Sequence, residues 1–445
     1  MEQQQNDLPV LIIGAGSTGL AIAHGLKKAN IAYKVFEQDP TPKPRNARDW
    51  AIGCHVSSSL DMSTVSMVVP HPRRPHRRGE WARIIETQTD PNTPTKASDA
   101  CPVINGKTGE IIRHVPLNNF YRLVRSRFRA FMAEDIDVAW GKKLVDVSYS
   151  DDGATVTAHF ADGTTATGRL LLGADSSNSR VRTLLLGPER ARLHRLSIAA
   201  TFINCRFPRE QALYLRRTHP LVNLIVHPDS MMGMLAALDC ADADRPETWT
   251  FAFYISWRTS AAEQDAEAAD GGWGPRERLR QAKEKSRAFA DPMRSAYDWM
   301  PDNLETVYYT PNGNWDPSLP DHKWDNHGGR ITLVGDSAHP MTYHRGQGLN
   351  HALDDAGHIV KLLTKQGDRP LSAVIGEYEA EMRPRAGEEV RLSEMNSYML
   401  HDWDKLSHSP FMTASLTKGT PKSFAEPSTA TSNGESTPAS NGNHS

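Results

Sequence analysis

The chain opens on Val10-Leu11-Ile12-Ile13-Gly14-Ala15-Gly16-Ser17-Thr18-Gly19, and no other stretch constrains the fold as tightly. Four apolar residues suffice for a short, fully buried strand. They run straight into a turn whose glycines, Gly14, Gly16 and Gly19, stand in the spacing G-x-G-x-x-G. Gly14 can take the tight turn, Gly16 leaves a pyrophosphate room to approach the backbone, and Gly19 lets a helix pack closely on the strand. That helix, expected from about Ser17 to Ala29, aims its free N–H groups and positive dipole end at the phosphate. A second strand, Tyr33-Lys34-Val35-Phe36, ends in Glu37, where an acid that receives a ribose hydroxyl belongs. Strand, turn, helix, strand and acid together predict a dinucleotide site. Its contacts would be Gly14, Gly16, Ser17, Thr18, Gly19 and Glu37.

A chain of 445 residues is too long for one small core, so two or three domains are expected. A formal net charge of −2 gives no general attraction to nucleic acid or to an anionic membrane. There is no apolar run of the roughly 18 residues that a spanning helix needs. Neither a nucleic-acid partner nor a stable membrane anchor is therefore expected. Cys54, Cys101, Cys205 and Cys240 are far apart and form no C-x-x-C pair. They read as buried small hydrophobes in a reducing, cytoplasmic setting, with no metal site.

Along the chain, Ala51–Val56 could be a strand, and His71–Arg78 is basic, broken by proline and read as an exposed excursion. A helix is expected from about Asn118 to Glu134, with apolar residues alternating with Arg122, Arg125, Arg127 and Arg129. Thr155–Phe160, with the Asp162-Gly163 turn after it, reads as a hairpin, and Leu170–Asp175 as a second buried strand ending in an acid. Between about 190 and 320, runs such as Ile198–Phe202, Leu221–His227, Met234–Leu238 and Trp249–Trp257 suggest a separate sheet-based lobe. A helical passage, Ala261–Ala290, interrupts it. Arg330–Asp336 repeats the strand-to-acid pattern, helices follow from about Gly348 to Lys365 and from Ala373 to about Leu400, and the chain from Thr417 reads as a disordered tail.

Two further segments sharpen the opening motif. Gly335-Asp336-Ser337-Ala338-His339-Pro340 delivers Asp336 to a sheet edge, where its carboxylate can accept a bond from a sugar or ribityl hydroxyl. Gly346 and Gly348 then permit close backbone approach before a helix that starts near Leu349 and favours negative charge at its N-terminus. Leu172-Gly173-Ala174-Asp175-Ser176-Ser177-Asn178-Ser179-Arg180-Val181-Arg182 is another strand, acid and helix start. These three segments, in this order, resemble the class A flavoprotein monooxygenases, the para-hydroxybenzoate hydroxylase-like family.

The resemblance implies an α/β fold, α+β overall. A Rossmann-like FAD-binding domain would take 8–185 together with 325–365, with an inserted substrate lobe over 190–320. A C-terminal helical segment would span 366–410, and the tail 417–445. It implies bound FAD, held by the glycine turn and Glu37 at the ADP end, by Asp336 at the ribityl chain, and by Gly346, Gly348, Leu349 and Asn350 at the pyrimidine end. Arg48 and Arg125 stand where the family has arginines that contact FAD, with Arg122 as the alternative one turn away. Gly173-Ala174-Asp175 resembles a motif shared between FAD and NAD(P)H, with Ser176 in place of the usual glycine. The implied activity is hydroxylation of an aromatic or polyketide-like small molecule with NADPH or NADH and O2, through a flavin C4a-hydroperoxide, in a monomer or homodimer. A phenol reacts best when ionised, so a base or an arginine is expected in the central lobe. Tyr214, Arg216 and His219 are available there, and the sequence chooses none of them. Epoxidation, Baeyer–Villiger oxidation and halogenation remain alternatives within the same chemistry, as does a non-catalytic flavin-binding regulator, for which Ser176 is the sole support.

Overall fold

The computed structural model describes residues 8–41, 49–55, 86–93, 100–117, 120–268 and 272–414. Val10–Ile13 is the central strand of a five-stranded parallel sheet in the order Ile331–Leu333, Leu170–Gly173, Val10–Ile13, Tyr33–Glu37, Val138–Trp140. Its residues and Leu170–Leu172 are essentially inaccessible to solvent. The helix Ser17–Lys28 leaves the glycine turn and packs against Gly348–Thr364, so close that a Cβ on Gly25 would stand 2.6 Å from Val360 Cγ2. Two segments more than three hundred residues apart are thereby fixed to one face of the sheet. Leu144–Tyr149, Val156–Phe160 and Thr165–Gly168 form a small antiparallel sheet that includes the expected hairpin.

The second lobe is a seven-stranded sheet in the order Val307–Asn314, His194–Arg206, Thr250–Arg258, Met231–Asp239, Val222–His227, Ala100–Asn105, Ile111–Pro116. Its last two strands come from the stretch that the sequence reading places in the cofactor domain. Ala100–Asn105 joins by pairing parallel with Val222–His227, a partner more than a hundred residues away. One face of this sheet is covered by the helices Pro275–Ser286 and Met293–Trp299, the other by the end of the long helix Leu371–Leu400 and by Phe411 and Met412.

The helix expected from Asn118 is corrected by the structure. Phe120–Val124 is a strand paired with Ala51–His55 in a two-stranded ribbon, and only Arg125–Met132 is helical. Phe, Tyr, Leu and Val in that run favour a strand once a partner is present, and tertiary pairing overrides the helical spacing of the arginines. All four cysteines are free and buried, and burial pushes the Cys54, Cys101 and Cys240 thiols up to about 12. No helix among the described residues is long and apolar enough to cross a membrane. Arg48, the Arg73–Arg78 cluster and the segment after Thr417 lie outside the described residues.

Candidate functional site

A cleft of about 590 Å³ opens at the carboxyl ends of the parallel strands and is lined by Gly14, Gly16, Glu37, Arg125, Arg129 and Asp175, among others. Gly14 adopts φ +111°, and a Cβ there would stand 2.3 Å from the Ala174 carbonyl oxygen. A Cβ on Gly19 would meet the Gly14 oxygen at 2.0 Å, whereas nothing lies within 4 Å of the position in front of Gly16. The turn is therefore closed beneath and open above, as backbone contact with a phosphate requires. Glu37 steadies it, accepting hydrogen bonds from the backbone N–H groups of Ala15 at 2.8 Å and Asp39 at 2.9 Å. Arg129 is buried under the turn. Its Nε donates to the Ala15 oxygen at 2.8 Å, and its outer nitrogens lie 3.3 Å from carboxylate oxygens of Glu37 and Asp39.

Arg125, one helical turn earlier, has a different setting. Its guanidinium lies 4.5 Å from the Trp50 ring and has no hydrogen-bond partner among the described residues. Burial and the neighbouring Arg129 lower its pKa, while Asp49, Asp39 and Glu37 pull the other way. A half-buried cation facing an open glycine turn, its donors unused among the described residues, has the charge and geometry to receive an anion such as a diphosphate. Lys142, Lys143 and Arg180 add positive charge to the rim, and no local sequence pattern marked the two lysines.

Asp175 lines the same cleft but is largely engaged by its own chain. It accepts from Ser179 Oγ at 2.6 Å and from the N–H groups of Arg180 at 2.7 Å and Val181 at 3.1 Å. It thus caps the helix Arg180–Ala191, although burial keeps its carboxyl above the usual range. Ser176, where the related motif has glycine, takes φ +72°, the conformation that favours glycine. Arg182, whose role the sequence did not disclose, is buried and joins the motifs. It donates to the carbonyls of Ala191 at 2.9 Å and Ser337 at 2.8 Å, and its guanidinium lies over Trp315.

The Gly335–Asn350 segment completes the site. A Cβ on Gly335, at φ +60°, would stand 2.5 Å from Thr18 Oγ1, so this turn is seated directly on the first turn of the glycine helix. Asp336 is reachable by solvent and has no hydrogen-bond partner among the described residues. Burial among surrounding groups raises its pKa, against the pull of His339, Arg125 and Arg182. Behind it, Asp355 accepts from the Gly335 N–H at 2.8 Å, from His339 Nε2 at 2.7 Å and from Arg385 at 2.7 Å. Burial pushes the Asp355 carboxyl up, but His339 and Arg385 overcome that and hold it well below the carboxylate range. His339 is fully buried in this network, which assigns it a packing role. Gly346 adopts φ +62° and turns the chain into Gly348–Thr364, whose preceding residue Gln347 supplies no side-chain cap. A Cβ on Gly348 would lie 3.8 Å from Asp336 Oδ1, and Leu349 and Asn350 form the first helical turn.

Of the residues offered for the substrate lobe, none lines this cleft. Tyr214 packs with the cluster behind the sheet and against Trp299. Arg216 is paired with Asp90, donates to the Pro220 oxygen at 3.0 Å and lies over Trp249. His219 accepts backbone bonds from Leu221 and Val222, and burial lowers it to about 4. Tyr214 and Arg216 thus stand on the helix Arg209–Arg216, which packs on the cluster behind the sheet, and His219 follows it with its Nε2 unbonded among the described residues.

Residues 314–393 match the FAD binding domain family. The sequence is 37% identical over 406 residues to the FAD-dependent monooxygenase phnB of Penicillium herquei, covering 90% of this chain and 93% of that protein. It is 35% identical over 410 residues to the FAD-dependent monooxygenase cctM of Talaromyces islandicus, covering 92% and 96%. Among solved structures, Klebsiella pneumoniae HpxO complexed with FAD and uric acid is similar with a TM-score of 0.69, at 19% identity and 93% coverage of each chain. The 2,6-dihydroxypyridine-3-hydroxylase of Arthrobacter nicotinovorans gives 0.66 at 18% identity, covering 89% of this chain and 93% of that one.

Proposed function

Because the chain belongs to the FAD-dependent monooxygenases, we propose that it uses NAD(P)H and dioxygen to hydroxylate an aromatic or polyketide-like small molecule. One observation carries the proposal. The glycine turn and the Gly335–Asn350 corner meet at Thr18, and the side chains of the two charged groups facing that junction, Arg125 and Asp336, have no hydrogen-bond partner among the described residues. A flavin dinucleotide fits this donor set. Its diphosphate would lie over Gly14–Gly16 against Arg125, its adenosine ribose near Glu37, and its ribityl hydroxyls at Asp336. Once bound, FAD supplies the electron transfer and the activation of oxygen.

The chain's own residues would orient and insulate that chemistry. The uncapped first turn at Gly348 stabilises negative charge on the pyrimidine end. The seven-stranded lobe excludes water and fixes the substrate relative to the cofactor. NAD(P)H has no second glycine turn in this sequence and would bind against the outer cleft. A hydroxylated aromatic substrate accords with the neighbour named for hydroxylating dihydroxypyridine and with the one holding uric acid.

The test is anaerobic mixing of the yellow holoenzyme with NADPH or NADH across a phenol panel, followed by oxygen and product mass. Bleaching of the flavin and a product heavier by one oxygen atom are expected. A protein that takes up no FAD, or whose flavin neither nicotinamide reduces with any phenol, would refute the reading.

A further inference from the structure

Arg122 is a buried cation that the described residues leave incomplete. It is 6% exposed and sits opposite Gly53 in the ribbon. Its Nε donates to the Ala237 carbonyl at 3.0 Å, anchoring the side chain to the seven-stranded sheet. Among the described residues no carboxylate pairs with it and nothing accepts from its two outer nitrogens; its electrostatic neighbours are Cys101 and Tyr254, both neutral at ordinary pH. Burial lowers Arg122 to about 10, which still leaves it charged near neutrality. Burying such a charge without a counter-ion costs several kcal/mol, so an anion that completes it is strongly favoured.

The same region carries an apolar platform. Register pairing aligns Phe202 with Tyr254, Tyr254 with Met234 and Met234 with Leu224, one row across four adjacent strands. Phe202, Met234 and Leu224 are only half-buried although they stand on central strands, so the described residues leave part of this row uncovered. Tyr343 packs edge-on against Phe202 at 5.1 Å and Tyr254 at 5.4 Å, three residues before Gly346. A Cβ on Gly53, opposite Arg122, would lie 3.8 Å from the Gly346 oxygen. Cation, platform and the corner proposed to hold the flavin ring are contiguous.

We propose that Arg122 binds the ionised hydroxyl of a phenolic substrate whose ring lies on the Phe202–Tyr254–Met234–Leu224 row. The assignment rests on the hydroxylase reading and gives it a substrate class, acidic phenols. On binding, the phenol O–H bond breaks, its electron pair stays on oxygen opposite the guanidinium, and the proton passes to solvent. The ring becomes electron-rich without a dedicated base. Arg122 thereby performs in the ribbon what was sought in the central lobe.

The test uses holoenzyme and para-nitrophenol, whose colour reports its ionisation, with neither nicotinamide nor turnover. The wild type should lower the apparent pKa of the bound probe by about one unit, a tenfold shift toward phenolate. Arg122→Met should abolish the shift, and Arg122→Lys should retain part of it. If the Met variant loses its FAD, Arg122→Gln serves the same comparison. A wild type that binds no probe or leaves its pKa unmoved would overturn the proposal, as would an equal shift in Arg122→Met. A flavin that no nicotinamide reduces would instead overturn the hydroxylase reading and leave the ionisation result standing.

Discussion

Replacing Gly335 by alanine tests whether the cofactor corner is built on direct seating of one turn upon another. The new Cβ would meet Thr18 Oγ1 at 2.5 Å and Thr18 Cγ2 at 3.0 Å, with the backbone at φ +60°. Left-handed backbone costs an L-residue about 1–2 kcal/mol, and overpacking a tight contact costs about 1–3 kcal/mol. The stiffer unfolded chain returns at most about 1 kcal/mol, so a net loss of about 1–5 kcal/mol is expected. The two terms are separable. Thr18→Ala removes the two nearest atoms of the clash but leaves the backbone strain, so in the double variant Gly335→Ala should cost at most about 2 kcal/mol. Urea unfolding of the four apoproteins gives the coupling energy, and the flavin-to-protein absorbance ratio shows whether FAD retention follows it. A coupling energy below about 0.5 kcal/mol would mean additive sites and would refute the seating argument.

Two other perturbations read different parts of the frame. Ser176→Gly should stabilise the apoprotein by up to about 1 kcal/mol, because Ser176 holds φ +72° without a side-chain bond to justify it, and thermal unfolding would show a drop instead if the serine were doing more. Asp355→Asn should destabilise the fold by about 3–5 kcal/mol near neutrality, since it strips His339 and Arg385 of their shared partner. The folded carboxyl titrates well below its unfolded value of about 3.9, so its contribution is complete above that value and is lost as pH falls further. Urea titrations should therefore show a constant gap between wild type and variant from about pH 7 to 5 that narrows below about pH 4. A gap that widens in acid would contradict the assignment.

The cofactor frame was legible because backbone proximity dictates its residues. Gly14 and Gly19 are glycines since carbonyl oxygens occupy the places where their side chains would be, and such constraints leave a spacing that can be read directly. Glu37 and Asp336 follow because a strand end is a fixed address. What stayed hidden depends on partners distant in sequence. Nothing near Ala100–Asn105 announces that it pairs with Val222–His227 rather than with the cofactor sheet. Nothing near Asp355 announces that His339 and Arg385 converge on it, although that network holds the Gly335 turn from behind. The substrate lobe was readable as a sheet and unreadable as a site, because the face each residue occupies depends on register, and a slip of one residue exchanges the faces.

The arginines at 122, 125 and 129 show what that dependence achieves. Their spacing of three and then four would set all three on one face of a continuous helix, where like charges repel. The burial that each enjoys here would then be untenable. The chain avoids this by changing from strand to helix at Val124, which is extended. Arg125 and Arg129 remain one helical turn apart, close enough for Arg129 to lower the pKa of Arg125, and Arg129 is compensated by Glu37 and Asp39 beneath the turn. Arg122, still in the ribbon, is carried across to the second sheet and bonds Ala237. Arg125 at the cleft and Arg122 beside the platform have no ion pair with a carboxylate among the described residues. If Phe120–Val124 were forced into the helix that its pattern suggests, Arg122 would lose Ala237, and one face would carry three cations with carboxylates for only one.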